Sequence, residues 1–129
     1  MPARVRTVAE SSPSDSLLPA LAVAPGTQGG RARIAIAYYT LTCNGLVPCG
    51  IDAFLIRSPD GGRTLKVPER LSSESMRTPW LADTNLGVML GDYISTSFAG
   101  GRPVPVFALA AAPAGSRFNQ AIFAARLPF

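Results

Sequence analysis

The sequence predicts an all-β protein of antiparallel strands arranged as repeated, propeller-type blades, and three observations predict it. Six apolar stretches of strand length are bounded by clusters of Gly, Pro, Ser or Asn, the signals that open and close strands. Twelve glycines and twelve prolines in 129 residues leave no room for long helices, because proline breaks the helical hydrogen-bond ladder and glycine loosens the backbone. The strands also recur in order at an offset of about 70 residues, a fixed-period self-similarity that marks an array of stacked units.

In chain order the expected strands are "LLPALAVA" (17–24), "RIAIAYYT" (33–40), "IDAFLIR" (51–57), "YISTSFA" (93–99), "PVPVFALA" (103–110) and "QAIFAAR" (120–126). The first closes at Pro25-Gly26 and the second opens after Gly29-Gly30. The third lies between Gly50 and the turn "SPDGGRTL" (58–65), and the fourth ends at Gly100-Gly101. The Ala-rich stretch 108–114 has helical propensity, but Pro103, Pro105 and Pro113 make any helix there short.

The repeat appears when the strands are laid side by side. "IDAFLIR" answers "QAIFAAR", with Phe54 against Phe123 and Arg57 against Arg126. "GGRARIAIAYY" answers "GGRPVPVFALA", and "ARVRTVAESSPSDS" answers "PERLSSESMRT", each passing from a basic, apolar strand into a Ser-rich loop. Recurrence of three pieces in one order favours a true repeat over chance likeness of apolar strands.

Composition narrows the function classes. With 47% hydrophobic and 16% charged residues the chain has the material for one modest core. The net charge is +4, yet eleven arginines and the single lysine, Lys66, are scattered, without the clustered basic footprint of a nucleic-acid binder. A mild attraction for anionic ligands is consistent with arginine's planar fork. The longest apolar run, "VPVFALAAAPA", falls short of the roughly 20 residues that a bilayer helix needs, so no membrane partner is expected. The N-terminal "MPARVRTVAESSPSDS" lacks the apolar core of a secretory signal.

Cys43 and Cys49 enclose "NGLVP", a spacing that suits a loop closed by a disulfide; two free, half-buried thiols are the other reading. No His and no further Cys accompany them, so neither a zinc site nor any other cofactor is expected.

The turn "SPDGGRTL" must reverse the chain between two strands. Asp60 can accept backbone N–H groups, Gly61 and Gly62 can supply positive φ, and the hydroxyls of Ser58 and Thr64 can satisfy neighbouring backbone. Ser58, Asp60, Gly62 and Thr64, followed by apolar Leu65, resemble the Asp-box, or bacterial neuraminidase repeat, with Leu65 in place of the usual aromatic plug. "MLGDYISTSFAGGRPVPVFA" resembles the Gly-Asp-Tyr segment that opens a blade in sialidase-like propellers, and "LLPALAVAPGTQGGRARIAIAYYT" resembles the same stretch one blade earlier.

The resemblance spans nearly all of the chain and implies about two blades of a six-bladed ring. Residues 2–9 would be the outer strand of a preceding blade, 10–72 one full blade with its Asp-box at 58–65, and 73–129 an incomplete second blade. Such a portion leaves sheet edges open, so further blades or other copies of the chain are expected to cover them. Secretion or cell-surface location follows from the resemblance together with the cysteine pair.

The resemblance also implies activity: hydrolysis of terminal glycosidic bonds in a glycan by an exo-sialidase-type domain, incomplete as an enzyme in this chain. The alternative is a non-catalytic module that binds glycans or proteins. In such propellers the sugar lies on the face opposite the Asp-boxes, which assigns Asp60 a structural role. Loops 9–16, 41–50, 72–91 and 112–118 then form the binding face, with Asp92 and Tyr93 starting an inner strand at its mouth. Tyr93, Asp92 and Asp83 are the catalytic candidates, because tyrosine suits a nucleophile facing an anionic sugar and a carboxyl can act as acid or base. Arg77 and Trp80 are the substrate-binding candidates, arginine as a bidentate partner of a carboxylate. Each also has an ordinary structural reading: Asp92 bonding backbone at a strand entrance, Tyr93 packing, Trp80 anchoring a loop, Arg77 solvated.

Overall fold

The computed structural model describes residues 6–10, 13–45 and 48–129. Its first sheet takes four strands in chain order, β1 (Ser14–Val23), β2 (Ile34–Thr42), β3 (Gly50–Ser58) and β4 (Glu69–Arg70), all antiparallel. A further short strand, β5 (Met76–Arg77), continues the β4 edge by pairing with the start of β3. After a small hairpin, β6 (Ala82–Thr84) and β7 (Gly87–Met89), come the strands of the second sheet. These are β8 (Ser95–Ala99), β9 (Arg102–Ala114) and β10 (Arg117–Ala124), with β9 central.

All six expected strands exist, with ends moved by a few residues. The Ala-rich segment is strand, because β10 pairs with it from Ala114 down to Val106 and its prolines deny it a helix. Two expectations are corrected. β8 begins at Ser95, so Asp92 and Tyr93 precede the strand that they were expected to start. The outer strand expected over 2–9 lies partly outside the described residues, and residues 6–9 are not strand. Arg6 instead donates its guanidinium to the carbonyls of Gly62 and Arg63 at 2.8 and 2.6 Å.

Alternation along β2 and β3 explains how the sheets meet. The pairing sets Ala35, Ala37, Tyr39, Ala53 and Leu55 on one face and Ile36, Tyr38, Phe54 and Ile56 on the other. Three alanines on the first face, all fully buried, let a second layer approach closely. That layer is the β8–β10 sheet: Phe107 joins Tyr39, Ile51, Ala53 and Met76 in the main core, while Phe98 and Leu127 pack on Ala35, Ala37 and Leu55. Removing Leu55 and its like from water contributes on the order of 1.5–3 kcal/mol per side chain. The opposite face of the first sheet carries a smaller cluster of Ile36, Tyr38 and Ile56, covered in part by Leu65 and Ala9.

One polar contact fixes the two sheets in register. β8 pairs with β9 only as far as Val106, so beyond it the in-plane N–H and C=O groups on that edge of β9 lack a strand partner. The hydroxyl of Tyr39 fills the gap, accepting from the N–H of Ala108 at 2.8 Å and donating to its carbonyl at 3.0 Å. One step on, the N–H of Ala110 meets the sulfur of Met76 at 3.1 Å. Burial pushes the Tyr39 hydroxyl above its ordinary pKa, so it stays neutral and can donate and accept at once.

The prediction is that Tyr39→Phe, which keeps the ring but orphans both groups of Ala108, lowers the unfolding free energy by about 1–3 kcal/mol. Urea denaturation should show a reduced midpoint with an unchanged slope. An unaltered midpoint would mean that the β9 edge finds other partners.

Candidate functional site

The strands carry their connections to two opposite ends. At one end stand the turn after β3 and the 24–33 connection, in direct contact: the N–H of Gly61 donates to the carbonyl of Ala32 at 2.8 Å. The two-residue Gly100-Gly101 hairpin joins them, since Arg33 donates to the carbonyl of Gly101 at 3.1 Å. Both of these glycines have positive φ, as the tight turn between β8 and β9 requires.

Ser58, Asp60, Gly62 and Thr64 form one bonded network there. The buried hydroxyl of Ser58 donates to Asp60 Oδ1 at 3.0 Å and accepts the N–H of Gly62 at 2.8 Å. Asp60 in turn accepts the N–H of Thr64 at 2.8 Å on one carboxylate oxygen and its hydroxyl at 2.7 Å on the other. These bonds, the backbone N–H of Thr64 first and its hydroxyl second, hold the Asp60 carboxyl down to about 2. Gly61 has φ +73°, and a Cβ there would lie 2.3 Å from the carbonyl oxygen of Gly29, so the close approach of the two connections requires glycine. Leu65 then packs against the Ile36, Tyr38 and Ile56 cluster, as a plug beneath the turn. The side-chain polar groups of Ser58, Asp60 and Thr64 are bonded within the turn.

The other end is where concavity appears. A pocket of about 370 Å³ opens between the start of β1, the end of β2, the start of β3 and the chain from Thr78 to Asp92. Its floor is aliphatic, with Leu41, Ile51 and Leu81 meeting Leu17 and Leu18. Consecutive residues of a strand normally face opposite sides; here a bulge between Leu17 and Ala20 turns both leucines into one pocket. Leu18 carries the cost as φ +50°, the sole positive φ among non-glycine described residues. Asp92 is the one ionisable residue in the lining.

The predicted site residues gather at this end without converging. Asp92 lines the pocket, and the adjacent Tyr93 is 91% exposed. Arg77 sits on β5 opposite Gly50 and is exposed, and Asp83 sits exposed on β6 opposite Val88. Trp80 is half-buried against the core between the sheets, the anchoring position rather than an open platform. An anionic sugar entering the pocket would meet the Asp92 carboxylate with no arginine in the lining to balance it. The arrangement suits an apolar group that carries a hydrogen-bond donor or a cation.

Two features escaped the reading of the sequence. The first is the Leu17-Leu18 doublet, whose signal was the break in alternation just before Pro19. The second is Asp52, which accepts from Arg70 Nε at 2.9 Å, Ser72 Oγ at 3.1 Å and Ser75 Oγ at 2.8 Å. Its bonds tie the 70–76 segment to β3 and leave it structural. Cys43 and Cys49 are disulfide-bonded with their Cα atoms 4.6 Å apart, closing the β2–β3 connection beside the pocket. Among the described residues no three His, Cys, Asp or Glu come together as metal ligands, and no helix is long and apolar enough to cross a membrane.

No protein-family model, no curated protein and no solved structure matches the chain.

The Asp60 network gives a pH prediction with a definite sign. Its folded pKa lies below the ordinary carboxylate value of about 3.9, so the carboxylate contributes stability that is fully present above pH ~4 and is lost as pH falls through about 2. Thermal unfolding followed from pH 5 to pH 2 should fall more steeply for the natural chain than for Asp60→Asn. Parallel curves for the two proteins would show that the network does not hold the ionised form.

Proposed function

We propose that the two sheets are neighbouring blades of a sialidase-like β-propeller, a glycoside-hydrolase-type domain, to which this chain contributes a binding surface rather than a complete catalytic set. The observation that carries the reading is the closed network of Ser58, Asp60, Gly62 and Thr64, at the place between third and fourth strand where the Asp-box belongs. Aromatic pairs at the matched positions Phe54 and Phe123 support it as well: Tyr38 and Phe54 stack across β2 and β3 at 5.9 Å, and Phe107 and Phe123 stack across β9 and β10 at 6.5 Å. The pocket at the end opposite the Asp-box is where a ligand would sit, with Asp92 in its lining and exposed Tyr93 next to it in the chain. Exo-sialidase-type hydrolysis in this reading needs arginines from further blades, because bidentate guanidinium partners hold a sugar carboxylate. The disulfide is in keeping with a secreted or cell-surface setting.

The aliphatic lining favours a second reading, a non-catalytic module that accepts an apolar side chain of a protein partner in place of a sugar. A fluorogenic sialoside and two titrations separate the possibilities. The folded chain alone should give no turnover above the blank, should bind sialyllactose measurably, and should bind it about 3-fold more weakly as Arg77→Ala, a loss of about 0.7 kcal/mol. Turnover that Tyr93→Phe abolishes would overturn the incomplete set and make this chain an enzyme by itself. Absence of sialoside binding, with binding of a Leu-rich peptide that Leu18→Asp removes, would replace the first reading by the second.

A further inference from the structure

Cations that are scattered along the sequence are gathered by the fold at one end, that of the 58–65 turn. Arg6 donates to the carbonyls of Gly62 and Arg63, and Arg63 donates to the carbonyl of Gly30 at 2.8 Å. Arg33 reaches from the first sheet to the carbonyl of Gly101 on the second, with its guanidinium 3.9 Å from the centre of the Phe129 ring. Lys66 stands over the same ring at 5.3 Å, and a Cβ at Gly100 would lie 3.0 Å from the guanidinium of Arg126. Arg31, in the 24–33 connection, and Arg102, straight after the Gly100-Gly101 hairpin, hold matched positions of the repeat and extend the row at this end. Arg33 is half-buried and the others are exposed.

The hydrogen bonds that hold these groups go to backbone carbonyls, which fix their direction and leave their charge unbalanced. Among the described residues the ion pairs join Arg57 to Glu69 and Arg70 to Asp52, and no member of the row takes part in one. Residues 1–5, 11–12 and 46–47 contain no Asp or Glu, so every acidic side chain of the sequence is among those described. Against the row stand Asp60 and the carboxylate that ends the chain at Phe129, so positive charge prevails here. At the pocket end Asp15, Asp83 and Asp92 give the opposite sign. Charges of one sign collected on one surface sum their fields and draw in a partner of the other sign.

We propose that this end binds a linear sulfated polysaccharide laid across the two sheets. The cations sit on separate connections of sheets that pack about 10 Å apart, a spacing that suits anions repeated along a chain rather than one small anion. Arginine's planar fork offers paired donors to two oxygens of one oxyanion, and the backbone carbonyls have already oriented those of Arg6, Arg33 and Arg63. Single-stranded nucleic acid is held by aromatic platforms on which its bases stack. Phe129 is half-buried, and Arg33 and Lys66 already stand over its ring. The surface is separate from the aliphatic pocket, so the outcome of sialoside binding there leaves the proposal standing.

Calorimetric titration of the full chain with a heparin oligosaccharide tests it, using three single charge reversals at exposed positions. Arg31→Glu and Arg102→Glu lie in the row, and Arg117→Glu, at the far end of the β9–β10 hairpin, changes the net charge equally. At about 150 mM salt each row variant, folded by circular dichroism, should bind at least about 5-fold more weakly than the natural chain, and Arg117→Glu within about 2-fold of it. The slope of log affinity against log salt should be smaller for each row variant by about 1. A natural chain that does not bind heparin overturns the proposal. Equal losses for all three variants overturn it as well, because heparin would then sense net charge alone. A DNA oligonucleotide of equal charge that binds more tightly than heparin replaces the polysaccharide by a nucleic acid.

Discussion

The constraint on which the rest depends is the unpaired edge of β9. A strand of thirteen residues flanked by a five-residue β8 leaves backbone groups without a ladder partner, and buried backbone groups must be satisfied. The first sheet supplies the partners through Tyr39 and Met76, one from β2 and one from β5. That requirement fixes how far the second sheet is slid along the first. It also fixes where Leu81 and the chain from Val88 to Asp92 arrive over the start of β1, which makes the pocket. The hydrophobic layer between the sheets supplies most of the attraction, but apolar burial is non-directional and tolerates sliding; the tyrosine does not.

The two ends of the molecule are built on opposite principles. At the end of the 58–65 turn polar groups are satisfied: the Ser58 hydroxyl, both oxygens of Asp60, the N–H of Gly61 and the guanidinium of Arg63 all find partners within the turn or on the neighbouring connection. A surface whose hydrogen bonds are spent internally has little left for an uncharged ligand. At the pocket end the backbone is irregular, apolar side chains are uncovered, and a leucine is held at positive φ. Strain is concentrated beside a concavity, away from the turn whose motif is conspicuous.

The strands, their antiparallel order and the internal bonding of the 58–65 turn were legible in the sequence because each has a local cause. Proline and glycine mark the boundaries, and the Ser, Asp, Gly and Thr of the turn bond within a span of seven residues. What escaped has a tertiary cause. β5 is a strand only because Met76 lies against the start of β3, and β6–β7 pairs across three residues on a stretch with no marked β pattern. Asp92 and Tyr93 lie before β8 because pairing with β9 stops at Ser95 opposite Val106. The exposed position of Tyr93 and the anchoring position of Trp80 are equally decided by what packs nearby. A motif identifies residue types; the distances that make a site come from the sheets.

Stacking sense is the least visible of these features in the sequence and the one with the widest consequence. A repeat read from residues states that two units are alike. It is silent on whether they meet front to front, which closes a pair and leaves only backs, or front to back, which leaves one of each. The alternation of β2 against that of β9 decides the matter, because the odd offset of the repeat exchanges the faces: Ile36 looks away from the interface and Phe107, which answers it, looks into it. A front-to-back pair does not terminate its own interaction, since every unit added restores both free surfaces. A series of such units is bounded when it closes on itself or its ends are capped.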